Sequence, residues 1–203
     1  MKPFTKKEAF GVGIIFLAVV LVTFYNLQIA LRRSRDSQRK QDLGVISDAL
    51  HKYNEDFGFF PPSENGKIKA CKASNFDDVF KKLTEAKSLD RDIFFEGLRA
   101  CEWSKDPLAN LLDTDYPAYI PLLPGDAMVA SGVSYYYLSN SRRFQLYSFL
   151  EGEDEEGGYD SGIVERGLPC GSKVCSFGKS SIDTPLDISI EDYEEELNLE
   201  VRP

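Results

Sequence analysis

Hydrophobic and polar positions divide the chain into two unlike parts. Residues 9–25 (AFGVGIIFLAVVLVTFY) are seventeen consecutive uncharged positions, and the run continues through Asn26 and Gln28 to Leu31, where Arg32 and Arg33 stop it. An amphipathic soluble helix presents polar residues every 3.6 positions, and here none precedes Thr23. The twenty-three residues 9–31, rising about 1.5 Å each, suffice to cross a bilayer. The pattern predicts a retained single span over residues 9–31, with residues 1–8 as a short leader-like cytoplasmic segment. A buried core helix is one alternative. A cleaved secretory signal is the other, but LQIALRRSR follows the run in place of a small-x-small site.

Beyond the arginines the period changes. Leu43, Ile46, Leu50, Tyr53 and Phe57 recur at spacings of 3, 4, 3 and 4, which puts them on one stripe of a helix. Asp42, Ser47, Asp48, Lys52 and Glu55 fall elsewhere on its circumference. No proline interrupts the chain between Phe4 and Phe57, whereas Gly58 and Pro61-Pro62 end the helix. One continuous rod of about fifty residues is expected, its amphipathic half (residues 32–57) seating a globular head over residues 58–179. Within the head, a helix over Phe76–Ala86 would use Phe76, Phe80 and Leu83 as its inner face, with Ser74 or Asn75 as its cap. Residues 134–138 and 144–150 read as two strands around the turn-forming Asn140-Ser141. The fold class is therefore α+β: a long N-terminal helix packed on a small antiparallel sheet. The aromatic density of these strands fits core packing better than a ligand-stacking surface.

Charge narrows the range of functions. The 203-residue chain carries 33 acidic and 24 basic residues, a net −9, which disfavours a general nucleic-acid binder. The excess is concentrated after residue 150, where 15 acidic residues face 4 basic ones. Residues 151–160 (EGEDEEGGYD) form an acidic, glycine-rich loop, a candidate for calcium or, more simply, a solvated turn. The acidic tail, residues 180–203, reads as an edge strand or a disordered segment. Basic residues flank the span on both sides: Lys2, Lys6 and Lys7 before it, and Arg32, Arg33, Arg35, Arg39 and Lys40 after it. The positive-inside rule therefore leaves orientation undecided. Cys71, Cys101, Cys170 and Cys175 allow three disulfide connectivities or a four-thiolate zinc site. The pairs 71–101 and 170–175 are favoured because each would staple a local loop in an oxidising compartment.

Several short motifs, in order, carry a family resemblance. Phe4-Thr5-Lys6-Lys7-Glu8 resembles the F-T-x-x-E start of mature type IV pilins and type II secretion pseudopilins. Asp56-Phe57-Gly58-Phe59-Phe60-Pro61 is similar to the segment that ends their long helix. Trp103-Ser104-Lys105-Asp106-Pro107, Tyr119-Ile120-Pro121, Gly132-Val133-Ser134-Tyr135-Tyr136-Tyr137 and Tyr147-Ser148-Phe149-Leu150-Glu151 resemble the β-region of major-pseudopilin heads. The likeness covers about residues 4–151. It implies a non-enzymatic subunit of a type IV pilus-like or type II secretion pseudopilus-like filament. Its partners would be copies of itself, other pilin-like subunits and the membrane. The head would be extracytoplasmic, on a membrane protein or in an extracellular filament. It also implies that Glu8 pairs with a neighbouring subunit's N-terminal amine during assembly; a carboxylate inside a bilayer costs about 2.5–3.5 kcal/mol, which would drive such pairing.

Two positions depart from the family pattern. Pro3 stands where the family's peptidase needs Gly, so processing between Pro3 and Phe4 is not expected, and Met1 or Lys2 is the expected terminus. Lys6 and Lys7 replace apolar residues and set Glu8 at the membrane surface. An uncleaved, membrane-anchored binding module is the alternative reading. No nucleophile–base–orienter set, phosphate loop, metal site or cofactor motif is recognisable, and no nucleic acid or small-molecule substrate is assigned. His51, the single histidine, reads as a surface residue on the rod.

Overall fold

The computed structural model describes residues 6–86, 89–113, 115–153, 158–181 and 183–200. Helix α1, Lys6–Phe57, is one uninterrupted helix of 52 residues, about 78 Å long at about 1.5 Å per residue. Gly58 ends it with φ +76°, a left-handed conformation that favours glycine, and its N–H closes back on the Asn54 carbonyl at 2.8 Å. The second half of α1 is the spine of the head.

Two small antiparallel sheets lie against it. In the first, β1 (Ser63–Glu64), β2 (Lys67–Lys72) and β3 (Leu98–Ala100) follow in that order. Between β2 and β3 come α2 (Phe76–Ala86) and α3 (Arg91–Glu96), and Asp90 caps α3 by accepting from the backbone N–H groups of Asp92 and Ile93. In the second sheet β5 (Phe144–Ser148) is central, between β4 (Tyr136–Ser139) and β8 (Phe177–Ser180). Asn140 makes the β4–β5 turn by accepting from the N–H groups of Arg142 and Arg143. Preceding β8 are α4 (Ser161–Glu165) and the hairpin β6 (Pro169–Cys170) and β7 (Lys173–Val174). The Tyr137 N–H donates to the Gly66 carbonyl at 2.8 Å and joins the two sheets.

Every residue of β5 is buried. Phe144 contacts the His51 ring on α1. On the opposite face, the Gln145 side chain donates to the Ile188 carbonyl at 2.8 Å and the Tyr147 hydroxyl to the Leu186 carbonyl at 3.0 Å. The chain after β8 therefore covers the sheet's outer side and belongs to the head. It ends in helix α5, Ile190–Glu200, where an edge strand or disorder was expected. Ser189 starts α5 by accepting from the Asp192 N–H at 3.0 Å, Ile190 is buried, and Glu194 pairs with Arg143 at 3.8 Å.

The sequence placed α2 at Phe76–Ala86, and the structure has it there, but with a different inner face. Val79, not Phe80, is buried with Phe76 and Leu83; Phe80 is 41% exposed and stacks on the outer side of Phe76. Gly97 explains the choice, because the Val79 side chain fills the space above it, where a β-carbon would stand only 3.1 Å away. The Asn75 amide donates to the Glu96 carbonyl at 3.1 Å, tying α2 to α3.

Candidate functional site

The two halves of α1 differ in what covers them. Residues 10–31 are long and apolar enough to span a membrane, and none of their most apolar window is buried by the rest of the chain. Phe10, Val12, Ile15 and Val20, which point in different directions around the helix, are all exposed, which does not fit a soluble core helix. Glu8 is exposed in the first turn. Pro3 and Phe4 lie outside the described residues.

On the head half, Leu43, Ile46, Leu50 and Tyr53 are buried, with Ala49 beside them. Phe57, at the end of the stripe, is half-buried; its ring stacks on Tyr53 at 4.4 Å and on Phe94 at 5.6 Å. These residues meet Phe59, Ile68, Tyr135, Tyr137, Phe144 and Leu146 in one apolar cluster.

Between the two halves lies a polar clamp that sequence reasoning missed. Arg39, read from sequence as a membrane-flanking charge, is fully buried. Its Nε and Nη2 donate to the two carboxylate oxygens of Asp126 at 2.7 and 3.0 Å, and Nη1 donates to Asp36 at 2.8 Å and to Glu151 at 2.9 Å. The guanidinium also lies 5.5 Å from the Phe149 ring. Arg35 grips Glu151 with two bonds of 2.7 Å, the bidentate geometry that makes such pairs strong. Asp36 in turn accepts from the backbone N–H groups of Glu151 and Gly152. Burial opposes the charge on Arg39, but the Asp126 hydrogen bonds and field, then Glu151 and Asp36, outweigh it and raise its pKa. The Arg35 hydrogen bonds hold Glu151 below the usual carboxylate range despite partial burial. One turn up, the Tyr135 hydroxyl donates to Asp42 at 2.6 Å, yet burial dominates and raises the Asp42 pKa.

The cysteines form two disulfides, Cys71–Cys101 and Cys170–Cys175. All four sulfurs are consumed, which removes the thiolate zinc alternative. The first bridge ties β2 to the residue after β3, and the second closes the β6–β7 hairpin. In the acidic loop, Glu151 is held by the two arginines and Asp160 caps α4 through the Gly162 N–H. Glu153 is exposed, and residues 154–157 of the calcium candidate lie outside the described residues.

His51 is half-buried rather than on the surface, edge-on to Phe60 and Phe144 at 5.6 Å each. It lines a cleft of about 460 Å³ with Asn54, Arg142, Arg143 and Glu194, closed on one side by α5. These contacts orient the imidazole for packing against aromatic edges. Comparisons with protein-family models, with curated proteins and with solved structures found no match.

Proposed function

We propose that this chain is a structural subunit of a type IV pilus-like or type II secretion pseudopilus-like filament, assembled through its N-terminal helix with the head outside the cytoplasm. One observation carries the reading. A single unbroken helix is bare and apolar all round over residues 10–31 and carries a disulfide-stapled head on its remaining length. Exposed apolar surface of this size is covered by lipid or by other helices. A bundle of such rods with heads outside lets the same surface leave lipid without meeting water. The ordered motifs from Phe4 to Glu151 support it, as does the oxidising compartment that two disulfides require.

Shearing native cells and sequencing the terminus of the released protein tests the proposal. Recovery in sheared filaments supports the subunit reading whichever terminus is found. Pro3 favours a second reading, an uncleaved membrane-anchored binding module. Confinement to membranes, with Met1 or Lys2 as the terminus, would establish that module instead.

A further inference from the structure

The clamp fixes how high the head stands above the membrane. Residues 9–31 rise about 34 Å at about 1.5 Å per residue, slightly more than the roughly 30 Å hydrocarbon core. Leu31 therefore lies at the boundary, with about 5–7 Å of headgroup layer beyond it. Arg35 is four residues on, about 6 Å higher, and already holds Glu151; Asp36 holds Gly152. No stalk separates the head from the bilayer.

Strand register identifies the edge that faces down. On β5 the chain descends from Phe144, beside His51, to Glu151, at Arg35. Tyr136 pairs with Tyr147, so residues preceding Tyr136 continue below the sheet. There Val133 bridges to Gly171, and the Ser172 N–H donates to the Gly132 carbonyl at 2.8 Å. The Ser172 hydroxyl donates to the Ser131 carbonyl at 2.8 Å. A β-carbon on Gly171, whose φ is +70°, would stand 1.9 Å from the Gly132 oxygen, so the 3-10 turn Val129–Ser131 and the hairpin tip are locked together. This edge is chemically unlike the rest of an acidic protein. Residues 127–141 carry no charge, and residues 167–178 carry only Lys173. Val129 is 56% exposed and Val174 45%.

We propose that this edge, the Val129–Ser131 turn with the disulfide-closed β6–β7 hairpin, is a lipid-contacting surface seated in the headgroup layer beside the chain's own anchor. The inference rests on the reading that residues 9–31 span a membrane. Exposed valines suit the interface, the Asp126 carboxylate behind Met128 being buried and paired with Arg39, and Lys173, whose ammonium lies 5.6 Å from the Phe149 ring, adds a positive charge for headgroup phosphates. Lipid is the occupant because the anchor sets this height in a single chain, before any second copy is present. Glu153 begins the acidic loop at the level of the clamp, so zwitterionic lipid is the suitable surface.

The test uses the full chain in phosphatidylcholine vesicles that contain nitroxide-labelled lipid, and the emission of Trp103, read from the unsubstituted chain under the same conditions, is subtracted. Val129→Trp and Val174→Trp report on the edge, Val20→Trp on the span, and Phe80→Trp on the end of the head near Phe57. Val129→Trp and Val174→Trp should each lose most of the added emission to the quencher, as Val20→Trp does, while Phe80→Trp keeps it. If Val20→Trp is quenched but the two edge variants behave like Phe80→Trp, the edge proposal fails and the anchor stands. Edge emission that changes only as the protein-to-lipid ratio rises, without lipid quenching, would assign the surface to a second copy and overturn the proposal. An unquenched Val20→Trp would remove the anchor, and the edge proposal with it.

Discussion

At the scale of single residues, Arg39 is the most consequential side chain outside the apolar core. A buried guanidinium with three carboxylate partners is stable only while all are present. Arg39→Ala leaves Asp126 and Asp36 buried without it, and should destabilise the full chain in detergent by about 3–5 kcal/mol in urea unfolding. Glu151 gives the clamp its pH dependence. Its folded pKa lies below the ordinary 4.5, so its contribution is complete above about pH 4.5 and drains as pH falls through the depressed value. Asp42 has the opposite sign: its raised pKa means that protonation on acidification favours the fold and offsets part of the loss. Glu151→Gln should therefore lower stability at neutral pH and flatten its decline in acid, as followed by thermal unfolding across pH. Tyr53 behaves differently again. Its hydroxyl is buried with no hydrogen-bond partner among the described residues, so Tyr53→Phe should be neutral or stabilising by about 1 kcal/mol in the same unfolding measurement.

At the scale of elements, local periodicity found the buried face of α1 but put Phe80 where α2 buries Val79, and long-range pairing was not legible. The 3–4 spacing of Leu43, Ile46, Leu50 and Tyr53 located the buried face of α1, because helical geometry alone puts those positions together. Leu50→Ala should accordingly cost about 2–5 kcal/mol in the same unfolding measurement. The tight Asn140-Ser141 turn likewise marked β4 and β5. β8 was not legible: Phe177–Ser180 carries a glycine and a lysine, and its place in the sheet comes from β5, some thirty residues earlier in the sequence. α5 was obscured by its acidity, since a run with six carboxylates and no base reads as solvated until Ile190, Tyr193 and Glu194 find the head. The clamp was hidden for the same reason. Arg39 has a local partner in Asp36, but Asp126 and Glu151 are 87 and 112 residues away. In sequence, Arg35 and Arg39 look like any basic flank of a membrane span.

At the scale of the whole molecule, the disulfides bear on orientation. Alkylation of protein from its native membrane without reductant, followed by mass spectrometry, should label no cysteine; four labelled thiols would place the head on the reducing side. The way the head is mounted has a mechanical consequence. From His51 down to Arg35 the helix travels about 24 Å, and from Phe144 down to Glu151 an extended chain covers about 23 Å, antiparallel and side by side. A pull along the rod loads that contact lengthwise. The helix cannot slide past the strand without breaking the Arg35 and Arg39 pairs and dragging the Leu43–Tyr53 stripe across the sheet at the same moment. Force is thus shared in shear instead of peeling bonds one by one, and the head follows its rod as a rigid load.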